Sequence, residues 1–220
     1  LSTAPSDQLL ASRILTGAKY PPARTPLWQG EAYRHERIRI AYLSSDFHAH
    51  ATATLMAGVF EAHDSNRFET IAISFGPDDA SAMRRRLAGA FEHFFPVAEM
   101  GDADIASLLR EKEVDIAIDL KGFTDQSRPA ILSLRPAPLQ VNYLGFPATM
   151  GAPYMDYIIA DPIVIPPGDR IHYSEKVAYL PHSYQPNDRS WRLAAKTPTR
   201  DEEGLPHTGF VFCCFNSSYK

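Results

Sequence analysis

Short apolar runs and longer stretches of helical spacing alternate along most of this chain. From Arg37 onward, Ile38, Ile40, Tyr42 and Leu43 predict a strand, and Ser44, Ser45 and Asp46 stop it. Leu55, Met56, Val59 and Phe60 then recur on one helix face. A second strand is expected at Phe68–Phe75, ended by Gly76, Pro77 and Asp78. Residues 79–91 follow as a helix with Met83, Leu87 and Ala90 on one side. Further strands are expected at 93–97, 114–119, 139–143, 157–160 and 176–180. The helices between them start near Asp102 and Asp104 and span 128–134, ahead of Pro136 and Pro138. Strands separated by helical segments predict βαβ units, and so an α/β fold with a mostly parallel sheet. Right-handed crossovers place the strand ends on one edge. That edge collects the loops Ser44–Thr54, Gly76–Asp79, Leu120–Gln126 and Leu144–Pro153 and the segment from Asp161 onward.

The flanks read differently. Residues 1–35 predict a short helix over Ser6–Leu15, then an extended linker through Pro21, Pro22 and Pro26. Residues 181–208 are polar and interrupted by Pro181, Pro186, Pro198 and Pro206, as in an inter-domain linker. The apolar run Phe210–Phe215 predicts the first strand of a second domain. The chain begins with Leu1 and stops just after that run, so a piece of a longer protein is expected.

Composition narrows the function classes. The 220 residues are 45% hydrophobic and 22% charged with a formal net charge of -4, ordinary for a globular chain and without the basic excess of a nucleic-acid binder. Arg84, Arg85 and Arg86 lie on a helical pattern and read as a solvated face. No apolar run reaches the length of a membrane helix, and no signal-peptide pattern opens the chain. Cys213 and Cys214 are adjacent in an apolar run, so buried reduced thiols in a reducing, cytoplasmic compartment are expected.

The loop after the first expected strand concentrates polar groups. In an open parallel sheet, ligands bind outside the carboxyl ends of the strands, where a helix N-terminus also presents N–H groups to an anion. His50 titrates near neutrality and suits proton transfer or a hydrogen bond. Asp46 either orients an imidazole or caps the following helix, and Thr52 is a second candidate cap. The His48-Ala49-His50 spacing suits a metal only if further ligands join it, and the sequence offers none with that spacing. Neither a dinucleotide-binding glycine fingerprint nor a P-loop is present. Lys220, after the last apolar run, suits a phosphate as a point charge.

Several ordered segments carry a resemblance. They are Ser44-Ser45-Asp46-Phe47 with His50 and Thr52, Leu134–Pro138, Leu144–Gly151 with Pro147 and Thr149, Met155–Tyr157, Tyr173–Lys176, and Cys214–Lys220. From about residue 35 to the end they resemble the catalytic region of the O-linked N-acetylglucosamine transferase family. The resemblance implies a GT-B fold: a Rossmann-like lobe over 36–180, a linker over 181–208, and the start of a UDP-binding lobe at 209–220. Residues 1–35 would be the tail of a tetratricopeptide repeat region. It also implies metal-independent transfer of GlcNAc from UDP-GlcNAc to Ser or Thr hydroxyls of proteins, with inversion and no cofactor. The alternatives are a related transferase using another nucleotide sugar or an asparagine acceptor, and a non-catalytic α/β binding module.

Carried over residue by residue, His50, Asp46 and Lys220 fall on catalytic positions. Thr52, Thr124, Leu144, Gly145, Pro147 and Ser217 fall on substrate- or donor-binding ones. Ser217 stands where animal members carry a donor-contacting glutamine, and a histidine proposed elsewhere as base lies upstream of the matched segment. The partners implied are the UDP-sugar, an acceptor protein, the rest of the second lobe and the repeats, with no nucleic acid and no membrane. The 220-residue piece alone is expected to transfer no sugar.

Overall fold

The computed structural model describes residues 4–191 and 195–214. Strands form where the apolar runs lie: β1 Ile38–Ser44, β2 Phe68–Ser74, β3 His93–Pro96, β4 Ile116–Asp119, β5 Leu139–Tyr143, β6 Tyr157–Ala160 and β7 Lys176–Tyr179. The helices are α1 Pro5–Lys19, α2 Ala51–Glu61, α3 Ala82–Ala90, α4 Asp102–Glu111 and α5 Ala130–Ser133. A 3-10 turn at Pro167–His172, which the sequence pattern did not announce, follows β6.

The seven strands form one sheet in the order β3-β2-β1-β4-β5-β6-β7, and every pairing is parallel. This is a doubly wound α/β lobe whose strand order reverses between β1 and β4. Alternation along β1 sends its side chains to opposite faces. Ile40 and Tyr42 pack with Met56, Phe60 and Leu87 of α2 and α3. Ala41 and Leu43 pack with Ile105 and Leu109 of α4 and with Ile131 and Leu132 of α5. Met56, with no exposed surface, contributes roughly 1.5–3 kcal/mol by burial alone.

α1 begins with Pro5 at its first turn, where a missing N–H costs nothing. It docks by its small polar residues: Ser12 and Thr16 are buried while Leu10 and Ile14 stay exposed. Gly151, at a φ of +60°, lets the helix backbone approach, since a Cβ there would lie 2.6 Å from the Arg13 nitrogen. Thr16 Oγ1 donates to the Met150 carbonyl at 2.8 Å in a buried contact. Thr16→Val is expected to cost about 1 kcal/mol, because it leaves that carbonyl unpaired. Urea unfolding checks the figure, and an unchanged midpoint with an unchanged slope would exclude it.

The chain divides into two units, residues 1–189 and 190–220. Residues 181–189 pack against the sheet-bearing unit: Tyr143 Oη donates to the Tyr184 carbonyl at 2.8 Å, and Arg86 reaches Asp188 at 2.7 Å. In the second unit Thr199 and Glu202 cap each other reciprocally, the Thr199 N–H donating to Glu202 at 2.8 Å. Two expectations fail here. Residues 210–214 form no strand among the described residues, because no neighbour supplies a ladder. Cys213 and Cys214 are exposed rather than buried, since no sheet or core covers them. Residues 215–220, with Ser217 and Lys220, lie outside the described residues.

The arginine run is also corrected. Arg84 is buried, donating to the Phe47 carbonyl at 3.0 Å and to Ser74 Oγ at 2.6 Å, with its guanidinium 4.5 Å over the Phe94 ring. Arg86 pairs with Glu61 and Asp188. The helix turns these two toward the sheet end and toward residue 188, and only Arg85 keeps a solvated position.

Candidate active site

The strand ends converge where the order reverses. β1 ends at Ser44 and β4 at Asp119, and the two strands are neighbours. Three glycines let the loops beyond them nest. A Cβ on Gly76 would sit 1.7 Å from the Ser45 carbonyl oxygen, and one on Gly145 2.1 Å from that of Leu120. One on Gly122 would sit 2.4 Å from Phe146 Cβ. The backbones therefore touch, and the polar side chains above them share one small region.

Asp46 stands at its centre. Lys121 Nζ donates to both of its carboxylate oxygens at 2.8 Å, Ser45 Oγ donates to Oδ1 at 2.9 Å, and Thr52 Oγ1 donates to Oδ2 at 3.2 Å. His50 Nδ1 lies 3.5 Å from Oδ2. Burial pushes the carboxyl upward. Hydrogen bonds and charge from Lys121, the charge of His50 and the Ser45 hydroxyl outweigh it, and Asp46 ends below its ordinary value.

The helix cap differs from the sequence expectation. Neither Asp46 nor Thr52 caps α2. His50 is the N-cap, and its Nδ1 accepts the Thr52 N–H at 3.1 Å. Asp46 is drawn away to Lys121, and Thr52 lies inside the first turn. In neutral His50 this cap assigns the ring proton to Nε2. His48 lies in the same loop, its ring 5.7 Å from that of His50 and its Nδ1 3.9 Å from Asp79. Asp79 also accepts the Ala49 N–H at 2.9 Å, and this bond leads the influences that bring its carboxyl down to about 2.

The other expected residues take distinct places. Leu144 has a φ of +66°, and the Gly145 N–H donates to the Tyr143 carbonyl at 2.9 Å. This is a γ-turn centred on a residue with a branched side chain, a rare and strained arrangement. Asn142 Nδ2 holds the far side of the loop through the Phe146 and Ala148 carbonyls. Buried Glu175 fastens it to the segment before β7, accepting from Thr149 Oγ1 and the Met150 N–H at 2.7 Å each. Pro147 is exposed. Thr124 turns its hydroxyl back onto the Lys121 carbonyl at 2.8 Å. Asp46, His50 and Thr52 are thus in mutual contact, while Leu144, Gly145 and Pro147 line the neighbouring loop and Thr124 closes the turn after β4.

Sequence reasoning missed Lys121 and Asp119. Asp119 is buried at the end of β4, accepting the N–H groups of Lys121 at 2.8 Å and Gly122 at 3.1 Å. Desolvation pushes it up to about 6, although both N–H groups and the Lys121 charge oppose the shift. A folded-state pKa above the ordinary value gives stability that is complete below about pH 4. That contribution, on the order of 3 kcal/mol, is lost as pH rises through 6. Melting curves of the wild type and Asp119→Asn between pH 4 and 8 check this. The difference is expected to move in favour of the variant as pH rises, and a constant difference would contradict it.

A family model described as Glycosyl transferase family 41 matches residues 23–197. The chain is 36% identical over 217 residues to the probable UDP-N-acetylglucosamine–peptide N-acetylglucosaminyltransferase SEC of Arabidopsis thaliana, covering 96% of this chain and 22% of that protein. It is 34% identical over 187 residues to the UDP-N-acetylglucosamine–peptide N-acetylglucosaminyltransferase of Caenorhabditis elegans, covering 82% of this chain and 16% of that one. The chain therefore spans about a fifth of the length of these relatives. Among solved structures it is similar to a mutant O-GlcNAc transferase of Thermobaculum terrenum, with a TM-score of 0.73 and 26% identity over 84% of this chain and 36% of that chain. With the parallel sheet, its reversal of order and the loops gathered there, these matches agree on one conclusion: the lobe is the Rossmann-like lobe of a GT-B fold, and the chain belongs to glycosyl transferase family 41.

Proposed function

We propose that the full-length protein transfers GlcNAc from UDP-GlcNAc to Ser or Thr hydroxyls of proteins, inverting the anomeric carbon without a metal ion or cofactor. The observation that carries this reading is the contact of His50, Asp46 and Thr52 at the switch point of a family 41 lobe. In the reaction, the acceptor oxygen forms a bond to the anomeric carbon as the bond to the diphosphate breaks, and UDP leaves with the electron pair. The hydroxyl proton must depart at the same time.

His50 Nδ1 is engaged by the α2 cap, so its chemistry toward the substrate falls to Nε2. Protonated, that atom donates to an oxygen of sugar or acceptor. If the ring proton moves to Nδ1, opposite Asp46, Nε2 accepts the proton of the attacking hydroxyl. The strained turn at Leu144 and the close backbone at Gly145, with Pro147 and Thr124 beside them, hold the sugar. Lys220 and Ser217 serve the diphosphate from a second, UDP-binding lobe. Tetratricopeptide repeats recruit the acceptor protein, and the reaction runs in the cytoplasm. No helix among the described residues is long and apolar enough to cross a membrane.

The test is UDP release by the full-length protein with an acceptor peptide, comparing UDP-GlcNAc with UDP-glucose, with and without chelator. Preference for UDP-GlcNAc, indifference to chelator and a β-linked product are expected. Absence of transfer from UDP-GlcNAc would sink the proposal.

A further inference from the structure

We propose that Lys121 is a positioning residue of this site, gripping Asp46 from the opposite side of the switch point and thereby placing Thr52 and His50. The inference rests on the functional reading above. It adds to that reading a residue in the loop after β4 that acts without touching the substrate.

The geometry is that of a clamp. Lys121 Nζ reaches both oxygens of Asp46 at 2.8 Å, and the two side chains are only 7% and 8% exposed. The Lys121 backbone is fixed at its own end by Asp119, whose Oδ1 accepts its N–H at 2.8 Å. The chain of contact runs from the end of β4, through Lys121, to the loop after β1, and from Asp46 to the Thr52 hydroxyl and the His50 ring.

Stability alone does not account for such a pair. Desolvating two charges costs about what their attraction returns, and apolar substitutes are often as good. A clamp does account for it. With Asp46 held at both oxygens, its Oδ2 sits 3.5 Å from His50 Nδ1, too far to compete with the Thr52 N–H for that nitrogen. The lysine thereby keeps the neutral His50 proton on Nε2, which commits the ring to the donor role toward a substrate oxygen and not to the role of base. Other charged groups near the cluster are Asp119 behind Lys121, Arg84 on the Phe47 carbonyl, and His48 and Asp79, which meet one another on the β2 side at 3.9 Å.

Four variants of the full-length protein test this: Lys121→Met, Lys121→Arg, Asp46→Asn, and Lys121→Met combined with Asp46→Asn. The first readout needs no turnover. In protein labelled at histidine nitrogens, Lys121→Met is expected to raise the His50 titration midpoint by about one pH unit, and to move the neutral ring proton toward Nδ1 as the released Asp46 engages it. Lys121→Arg is expected to restore both values. The second readout is kinetic: kcat falls about 10–100-fold in Lys121→Met while KM for UDP-GlcNAc changes less than about threefold. The double variant is expected to lose no more than Asp46→Asn alone, because residues acting through one another are not additive.

An unmoved His50 titration and tautomer in a folded Lys121→Met protein would overturn the clamp. So would a double variant that loses clearly more than Asp46→Asn alone, a comparison that also serves if Lys121→Met alone does not fold. If the wild type transfers no sugar while His50 responds as described, the functional reading falls and the clamp stands.

Discussion

His50→Ala in the full-length protein is expected to lower kcat by about 10²–10⁴-fold, the range associated with losing a positioned proton-transfer group. Two effects must be separated, because the proposal gives His50 a second job beside its observed one. Its Nδ1 caps α2 by accepting the Thr52 N–H at 3.1 Å, and losing a cap costs about 1 kcal/mol of stability. Its other nitrogen is assigned to the reaction. His50→Asn distinguishes the two, since an asparagine side chain caps well but neither donates nor accepts a proton at neutral pH. Melting temperature is expected to recover in His50→Asn, whereas turnover is not. If His50→Asn restores kcat to within about threefold of the wild type, the histidine serves only as a cap and the catalytic assignment fails.

Gly76→Ala is expected to have the largest effect on the fold, destabilising it by about 3 kcal/mol or more. The added methyl would meet Ser45 backbone atoms at 1.7, 2.6 and 2.9 Å. Main-chain atoms at the end of a central strand have no rotamer to change, so the loop must move. Ser45 precedes Asp46, and the shift is expected to reach the candidate site, leaving even the folded fraction with reduced turnover. Gly89→Ala is the control: nothing lies within 4 Å of its Cβ position and the residue is inside α3. There alanine is expected to stabilise by up to about 1 kcal/mol. Chemical denaturation of both variants, with kcat normalised to folded protein, reads the contrast. A Gly76→Ala protein as stable as the wild type would refute the backbone contact.

Strands were legible in the sequence where an apolar run meets an abrupt stop, as at Leu43–Ser45 or Tyr143–Gly145. The register of one strand against another was not, because nothing in β1 announces that β4 pairs with it. The same distance hid Lys121. Its partner Asp46 is 75 residues away, and a lysine after a strand looks like any solvated lysine. The arginines of α3 were misread for a similar reason: Phe47, Ser74, Glu61 and Asp188, which hold two of them, are remote in the chain. The α2 cap was missed because an imidazole lies outside the usual set of Ser, Thr, Asp and Asn. His50, Asp46 and Thr52 could be grouped beforehand because one loop contains them all.

The strand order also has a consequence for how the molecule comes into being. β2 can add to β1, and β3 to β2, as each emerges, but the other side of β1 must wait for β4 to cross back. During synthesis at about 5–20 residues per second, that interval lasts several seconds. Throughout it, β1 presents an open edge that invites pairing with another chain. Asp46 meanwhile has no lysine to hold it. Closing the sheet and completing the candidate site are then one event, so a nascent chain cut before Asp119 is expected to aggregate rather than fold into a smaller, active unit.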